Sequence, residues 1–215
     1  MMQKSKTQQT GNISADRGTD AKKNKESRKG LEKDLKKKGI GYKKGVGEYK
    51  SISEKALNKQ IELEASSSQF YLSMASWAES QGLSGTSSFL YKHSDEERLH
   101  MLKLVKFINE RGGAAVIPAL IKPPTTFQSL SNVFESLLEH ELNVTESINN
   151  IVGLCLEEKD FTTHNFMQWY VSEQLEEEAM ARTILDKLNM IGNDKAGLYL
   201  FDRDLNEFEP VENVV

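Results

Sequence analysis

Cysteine is nearly absent from this sequence. Cys155 is the only one in 215 residues, so no intrachain disulfide can form, a usage that fits a reducing compartment. The lack of clustered thiolates also argues against a structural zinc or iron–sulfur site. No stretch approaches the roughly 20 uninterrupted apolar residues that cross a bilayer, and the first residues lack the apolar core of a secretory signal. The expectation is a soluble, cytoplasmic protein without membrane contact. Proline is scarce too, at four residues, and Pro118, Pro123 and Pro124 fall together in one stretch.

The charge is unevenly distributed. Residues 1–50 carry 15 Lys and Arg against 6 Asp and Glu, and residues 51–215 carry 13 against 26. The net charge of −4 therefore combines a segment near +9 with a body near −13. The basic segment has few large apolar residues, seven glycines and runs such as Lys36-Lys37-Lys38, too little to offset the entropy of ordering. It is expected to be a disordered N-terminal extension (1–50), followed by one folded domain (51–206) and a short C-terminal tail (207–215).

From Ser51 onward the apolar residues recur at helical spacing. A first segment reads Leu57, Ile61, Glu64, Ser68, Tyr71, Ala75, Ala78, and Ser51 with Glu54 three residues on has the form of a capping box at its start. Gly82 and Gly85 break the pattern. The second segment reads Leu90, His93, Glu97, His100, Leu104, Phe107 and stops at Gly112-Gly113. After some fifteen residues holding the three prolines, the third reads Leu130, Phe134, Leu137, Glu141, Val144, Ile148, Ile151, Cys155. The fourth follows a very short turn near Lys159-Asp160, with Tyr170, Gln174, Glu177, Ala181, Ile184, Leu188 and Ile191, and ends at Gly192-Asn193. Lys195 to Leu205 forms a short amphipathic fifth helix. Two short turns and one long connection predict an all-α four-helix bundle with a single long crossover between the second and third helices.

Each of the four inward stripes carries a carboxylate near its middle: Glu64, Glu97, Glu141 and Glu177. Two belong to i,i+3 pairs, Glu97-x-x-His100 and Gln174-x-x-Glu177, whose members share a helix face. Glu64 to Glu97 and Glu141 to Gln174 are both 33 residues apart, so two helical hairpins bring these groups to matching heights. Four unpaired buried carboxylates would each cost several kcal/mol, in sum comparable with the whole stability of a domain, roughly 5–15 kcal/mol. Two divalent cations balance their charge. Oxygen-rich ligation with one imidazole suits iron or manganese, and two adjacent redox ions supply the electrons that a two-electron reaction with dioxygen needs.

Other candidates have plainer readings. His93 lies on the inward stripe one heptad from His100 and is expected to be a hydrogen-bonded core histidine rather than a ligand. His140 and His164 fall off the stripes and look ordinary. Glu158, Glu176 and Glu178 read as solvated faces, Trp169 and Tyr170 as core aromatics, and Tyr71 as a core residue whose hydroxyl bonds a ligand carboxylate.

The segments NKQIELEASSSQFYLSMASW, HSDEERLHM, EHEL, NFMQWYVSEQLEEE and GLYLFDRDL, spread between about Ser51 and Leu205, resemble the bacterial non-haem ferritins. The resemblance implies a ferritin-like fold and a di-iron centre. In it Glu64, Glu97 and His100 bind one iron, Glu97 bridges to a second held by Glu141 and Glu177, and Gln174 sits beside that second ion. Glu96, Glu173 and Glu176, with Glu177 shared, match a third iron site, while Tyr71 and Trp169 match aromatic residues proposed to donate electrons. It further implies ferroxidase activity, with Fe(II) oxidised by O2 or H2O2, and storage of the ferric product in a hollow homo-oligomeric shell of about 24 subunits, the last helix packing near its four-fold axes. Bacterioferritins repeat ExxH in both hairpins and offer a methionine for haem after the bridging glutamate. Here the second motif is QxxE and Arg98 follows Glu97, so no haem is expected, and one cysteine cannot build the iron module of rubrerythrins.

Two other classes remain open from sequence. A DNA-protecting shell could use the basic tail on phosphates or other anionic partners in a salt-dependent way, although such miniature ferritins build their site across a subunit interface. A di-iron oxygenase would need an apolar substrate pocket, against which Glu96, Glu173 and Glu176 argue.

Overall fold

The computed structural model describes residues 46–205, and within that range the side chains from residue 53 on. The expected basic extension and the C-terminal tail thus lie almost wholly outside the described residues. Those described form five α-helices and no strand: α1 Val46–Ser80, α2 Ser84–Glu110, α3 Leu130–Glu158, α4 Phe161–Ile191 and α5 Lys195–Leu205. Their order and turns are those of the ferritin-like bundle expected from the apolar stripes.

Local chemistry sets the turns. Gly82, Gly112 and Gly192 take positive φ where a helix ends, and Lys159 does so at the α3 C-cap, at φ 56°. The next residue, Asp160, caps α4 by accepting from the Thr163 backbone N–H. Its carboxylate also takes two hydrogen bonds from Arg111 Nη1, at 2.8 and 2.7 Å, tying the end of α2 to the start of α4.

The first helix starts earlier than a capping box at Ser51 and Glu54 would place it. α1 begins at Val46, which puts Ser51 inside the helix. Glu54 turns away from the helix end, and its Oε1 accepts from the Ala114 N–H at 3.1 Å. Asn58 Oδ1 accepts from the Val116 N–H, and fifteen residues further along α1 the Ser73 hydroxyl donates to the Pro124 carbonyl. These bonds lay the α2–α3 connection along α1, so α3 starts beside the end of α1 and runs back antiparallel to it.

Gly85 does not break a helix either, since it lies in the first turn of α2. A β-carbon there would sit 1.6 Å from the Asp202 carbonyl oxygen of α5, a contact that only glycine avoids. The close approach lets Asp202 cap α2 from a distance. Its carboxylate accepts from the backbone N–H groups of Gly85 and Thr86 and from the Thr86 hydroxyl, at 3.1, 2.8 and 2.7 Å. Asp202→Ala is expected to cost about 1–2 kcal/mol by orphaning these donors, read as a lower melting temperature of the metal-free protein.

The apolar core is divided into two parts. One cluster gathers Tyr71, Met74, Phe89, Leu90, Phe134, Leu137, Ile184 and Phe201. The other gathers Leu57, Ile61, Leu104, Ile108, Val144, Ile148, Met167 and Tyr170. Between them, at the same height on all four long helices, lies a buried polar layer.

Candidate metal centre

Each helix delivers its polar residues between apolar neighbours of the same stripe: Glu64 between Ile61 and Tyr71, Glu97 and His100 between Leu90 and Leu104, Glu141 between Leu137 and Val144, Gln174 and Glu177 between Tyr170 and Ala181. All six are buried, with Glu141 completely so. Packing on either side fixes these groups in a slab that water reaches poorly.

Glu64, Glu97 and His100 come together, with one ligand atom of each within 4.8 Å of the others. His100 Nδ1 stands 3.4 Å from Glu97 Oε2 and 4.0 Å from Glu64 Oε2. Glu97 Oε2 is nevertheless a buried oxygen without a hydrogen-bond partner, so it is free to accept a cation. Across the slab Gln174 Nε2 donates to Glu141 Oε2 at 3.0 Å and to its carbonyl at 3.2 Å, and the Tyr71 hydroxyl donates to Glu141 Oε1.

The electrostatics are those of carboxyls crowded together in a buried layer. Burial, reinforced by the neighbouring Glu97, holds the Glu64 carboxyl well above the usual carboxylate range. Burial and the Glu141 charge do the same to Glu97 and to Glu177. Glu141 is pushed up to about 7 by burial, the Tyr71 hydrogen bond working the other way. Proton uptake by these carboxyls relieves the desolvation cost of the slab.

Sequence reasoning missed two supports. Gln60, fully buried, donates through Nε2 to Glu64 Oε1 at 2.8 Å, and its own oxygen accepts from Ser147 at 2.6 Å. A polar residue one turn before Glu64 on the inward face was the available signal; Ser147 gave none. His140 is not ordinary. Its Nε2 lies 2.6 Å from the Ser67 hydroxyl, its ring packs on Phe70 and Tyr71, and burial lowers its pKa to about 4.

The aromatic candidates flank the slab. Trp169 is partly exposed and stands edge-on to the His100 ring, centroids 5.1 Å apart, with Lys103 Nζ 3.1 Å over its own ring. The Tyr170 hydroxyl donates to the His100 carbonyl at 2.8 Å and so fixes the helix turn that carries the histidine.

Of the three glutamates matched to a third site, Glu96 is half-buried, Glu173 Oε1 lies 3.9 Å from His100 Nε2, and Glu176 is exposed. Among the described residues, His93, Glu96 and Glu177 also bring potential ligand atoms within 4.8 Å of one another.

Comparison with known proteins agrees with this architecture. The family model described as a ferritin-like domain matches residues 54–191. Over 151 residues the chain is 49% identical to a probable bacterial non-heme ferritin-like protein of Haemophilus influenzae, covering 70% of this chain and 92% of that one. It is 45% identical over 149 residues to a bacterial non-heme ferritin of Campylobacter jejuni, covering 69% and 89%. Among solved structures it is similar to an open pore ferritin from Archaeoglobus fulgidus, with a TM-score of 0.72, 44% identity, and 74% of this chain and 99% of that one covered.

Proposed function

The chain belongs to the ferritin family, and from that premise we propose that it stores iron after oxidising Fe(II) at a two-ion centre inside the bundle. The observation that carries the reading is the buried slab of four carboxylates and one histidine, with an oxygen of Glu97 left unpartnered. Iron is the substrate here. Glu64, Glu97 and His100 hold one Fe(II), and Glu97, Glu141 and Glu177 hold the second, with Gln174 orienting Glu141.

Each Fe(II) gives up one electron. Dioxygen takes the two electrons and two protons and leaves as hydrogen peroxide, or hydrogen peroxide takes them and leaves as two waters. The protein supplies proximity, since both ions are held by residues already fixed between the apolar clusters. It supplies charge as well. As ferrous ions bind, the carboxyls of the slab release their protons, and the resulting four negative charges favour the ferric over the ferrous state. Tyr71 and Trp169, beside Glu141 and His100, are placed to contribute further electrons.

The ferric product then collects inside a closed homo-oligomer of about 24 chains.

Aerobic addition of Fe(II) in large excess over chains tests the reading. Iron should co-migrate with a large assembly on size exclusion and give electron-dense cores. Iron that is oxidised but not retained would favour an oxygenase and count against storage. In the triple variant Glu96→Ala, Glu173→Ala, Glu176→Ala, the first two irons per chain are expected to oxidise at near-parental rate, with a changed ratio of oxygen consumed to iron oxidised. Loss of that first phase, followed by stopped-flow absorbance, would assign these glutamates to the primary centre.

A further inference from the structure

One positive charge stands against the aromatic groups beside the slab. Lys103, one turn after His100 on α2, places its Nζ 3.1 Å over the Trp169 ring of α4 and 5.9 Å from the centre of the neighbouring Tyr170 ring. The two rings meet nearly at right angles with centroids 4.9 Å apart, and Trp169 stands edge-on to the His100 ring at 5.1 Å. The indole thus has a proposed iron ligand at one edge and an ammonium over one face. It is 37% exposed, so water reaches it as well. Glu173, whose Oε1 lies 3.9 Å from His100 Nε2, attracts the same ammonium.

An ammonium over a ring acts in opposite senses on the two redox states of that ring. It is attracted to the electron-rich face of the neutral indole and repelled by the radical cation left when one electron is removed. Both effects make the electron harder to take.

We propose that Lys103 acts through Trp169 to restrain it as an electron donor, so that oxidising equivalents produced at the iron pair are consumed by Fe(II) and not by the protein. The proposal rests on the oxidation at that pair read above. The step it governs is a one-electron transfer. Trp169 loses an electron and becomes a radical cation, and the hydrogen peroxide left by the iron pair, on taking that electron, a second from a further Fe(II) and two protons, becomes two waters. With the Lys103 charge in place both electrons come from Fe(II). Proximity to His100 makes Trp169 a donor, and Lys103 sets how readily it acts as one. The same charge acts on Tyr170, the next ring that an electron vacancy on Trp169 would reach.

The test is aerobic oxidation of Fe(II) by the full chain, frozen milliseconds after mixing and examined by electron paramagnetic resonance, with ring-deuterated tryptophan to assign the radical. Lys103→Met removes the charge and keeps the length of the side chain, Lys103→Arg keeps the charge, and the double variant Lys103→Met, Trp169→Phe removes the ring. Stopped-flow absorbance should show the same first phase of iron oxidation in the parent and in Lys103→Met. The tryptophan radical should be at least about fivefold stronger in Lys103→Met than in the parent, stay at the parental level in Lys103→Arg, and vanish in the double variant. Equal tryptophan radical in parent and Lys103→Met, or an arginine variant that behaves as the methionine one, would overturn the proposal and leave the iron centre standing. A slower first phase in Lys103→Met would make Lys103 part of iron binding and overturn it too. A parent without any fast oxidation of Fe(II) would overturn the reading of the centre, and this proposal with it.

Discussion

Replacing Glu97 and His100 together by alanine is expected to slow the initial oxidation of Fe(II) by at least about 100-fold, because it removes the ligand common to both ions and the only imidazole of the pair. The loss should be one of chemistry and not of fold. Both side chains sit in the polar slab, and the two apolar clusters on either side of it are untouched by the change. The variant should therefore assemble as the parent does, and without metal it should melt no lower, since deleting a buried carboxylate removes a desolvation cost while it opens a small polar void. Stopped-flow absorbance after mixing with Fe(II) and air gives the rate, and size exclusion gives the assembly. Initial rates equal to the parent's would take these residues out of the centre.

The second large effect is a pH dependence of stability that metal removes. Glu64, Glu97, Glu141 and Glu177 all have folded-state pKa values above the ordinary 4.5, chiefly through burial, and that of Glu141 is about 7. For a carboxyl raised on folding, the folded state binds more protons than the unfolded chain between the two values, so its contribution to stability is complete below about 4.5 and is lost as pH rises through the folded value. The metal-free protein should accordingly lose melting temperature between about pH 5 and pH 8. A bound divalent cation offsets the same charges. With saturating Zn(II) the melting temperature should rise, the gain should be larger at pH 8 than at pH 5, and binding should release protons into the buffer. Scanning calorimetry at several pH values, with and without Zn(II), checks the sign. A metal-free protein that grows more stable over this range would mean that the slab does not carry these carboxyls as buried groups.

Much of this was legible before any coordinates. A carboxylate at the centre of an apolar stripe is improbable in a sequence that must fold, and four of them at matched spacing identify both the helices and the buried polar layer. Periodicity located the helices because burial of a stripe is a property of each segment alone. The readings that failed, or were missed, concern relations between segments. Ser51 and Glu54 have the spacing of a capping box, but Glu54 serves the Ala114 backbone on the long connection instead. Gly85 looks like a breaker until Asp202 of α5 is seen against it. His93, on the same stripe as His100, is buried as its spacing predicts, but that Glu177 of α4 stands across the bundle from it is visible only in the fold.

The sequence by itself determined the four amphipathic helices, the single long crossover and the identity of the buried carboxylates, because helical spacing and the cost of burying charge are encoded locally. The tertiary structure decided which of those carboxyls face which nitrogen, which oxygen is left without a partner, and which distant residue caps α2. Those are distances of a few ångströms between residues 36 to 117 positions apart, set by how the stripes interlock and invisible to any pattern read along one chain segment.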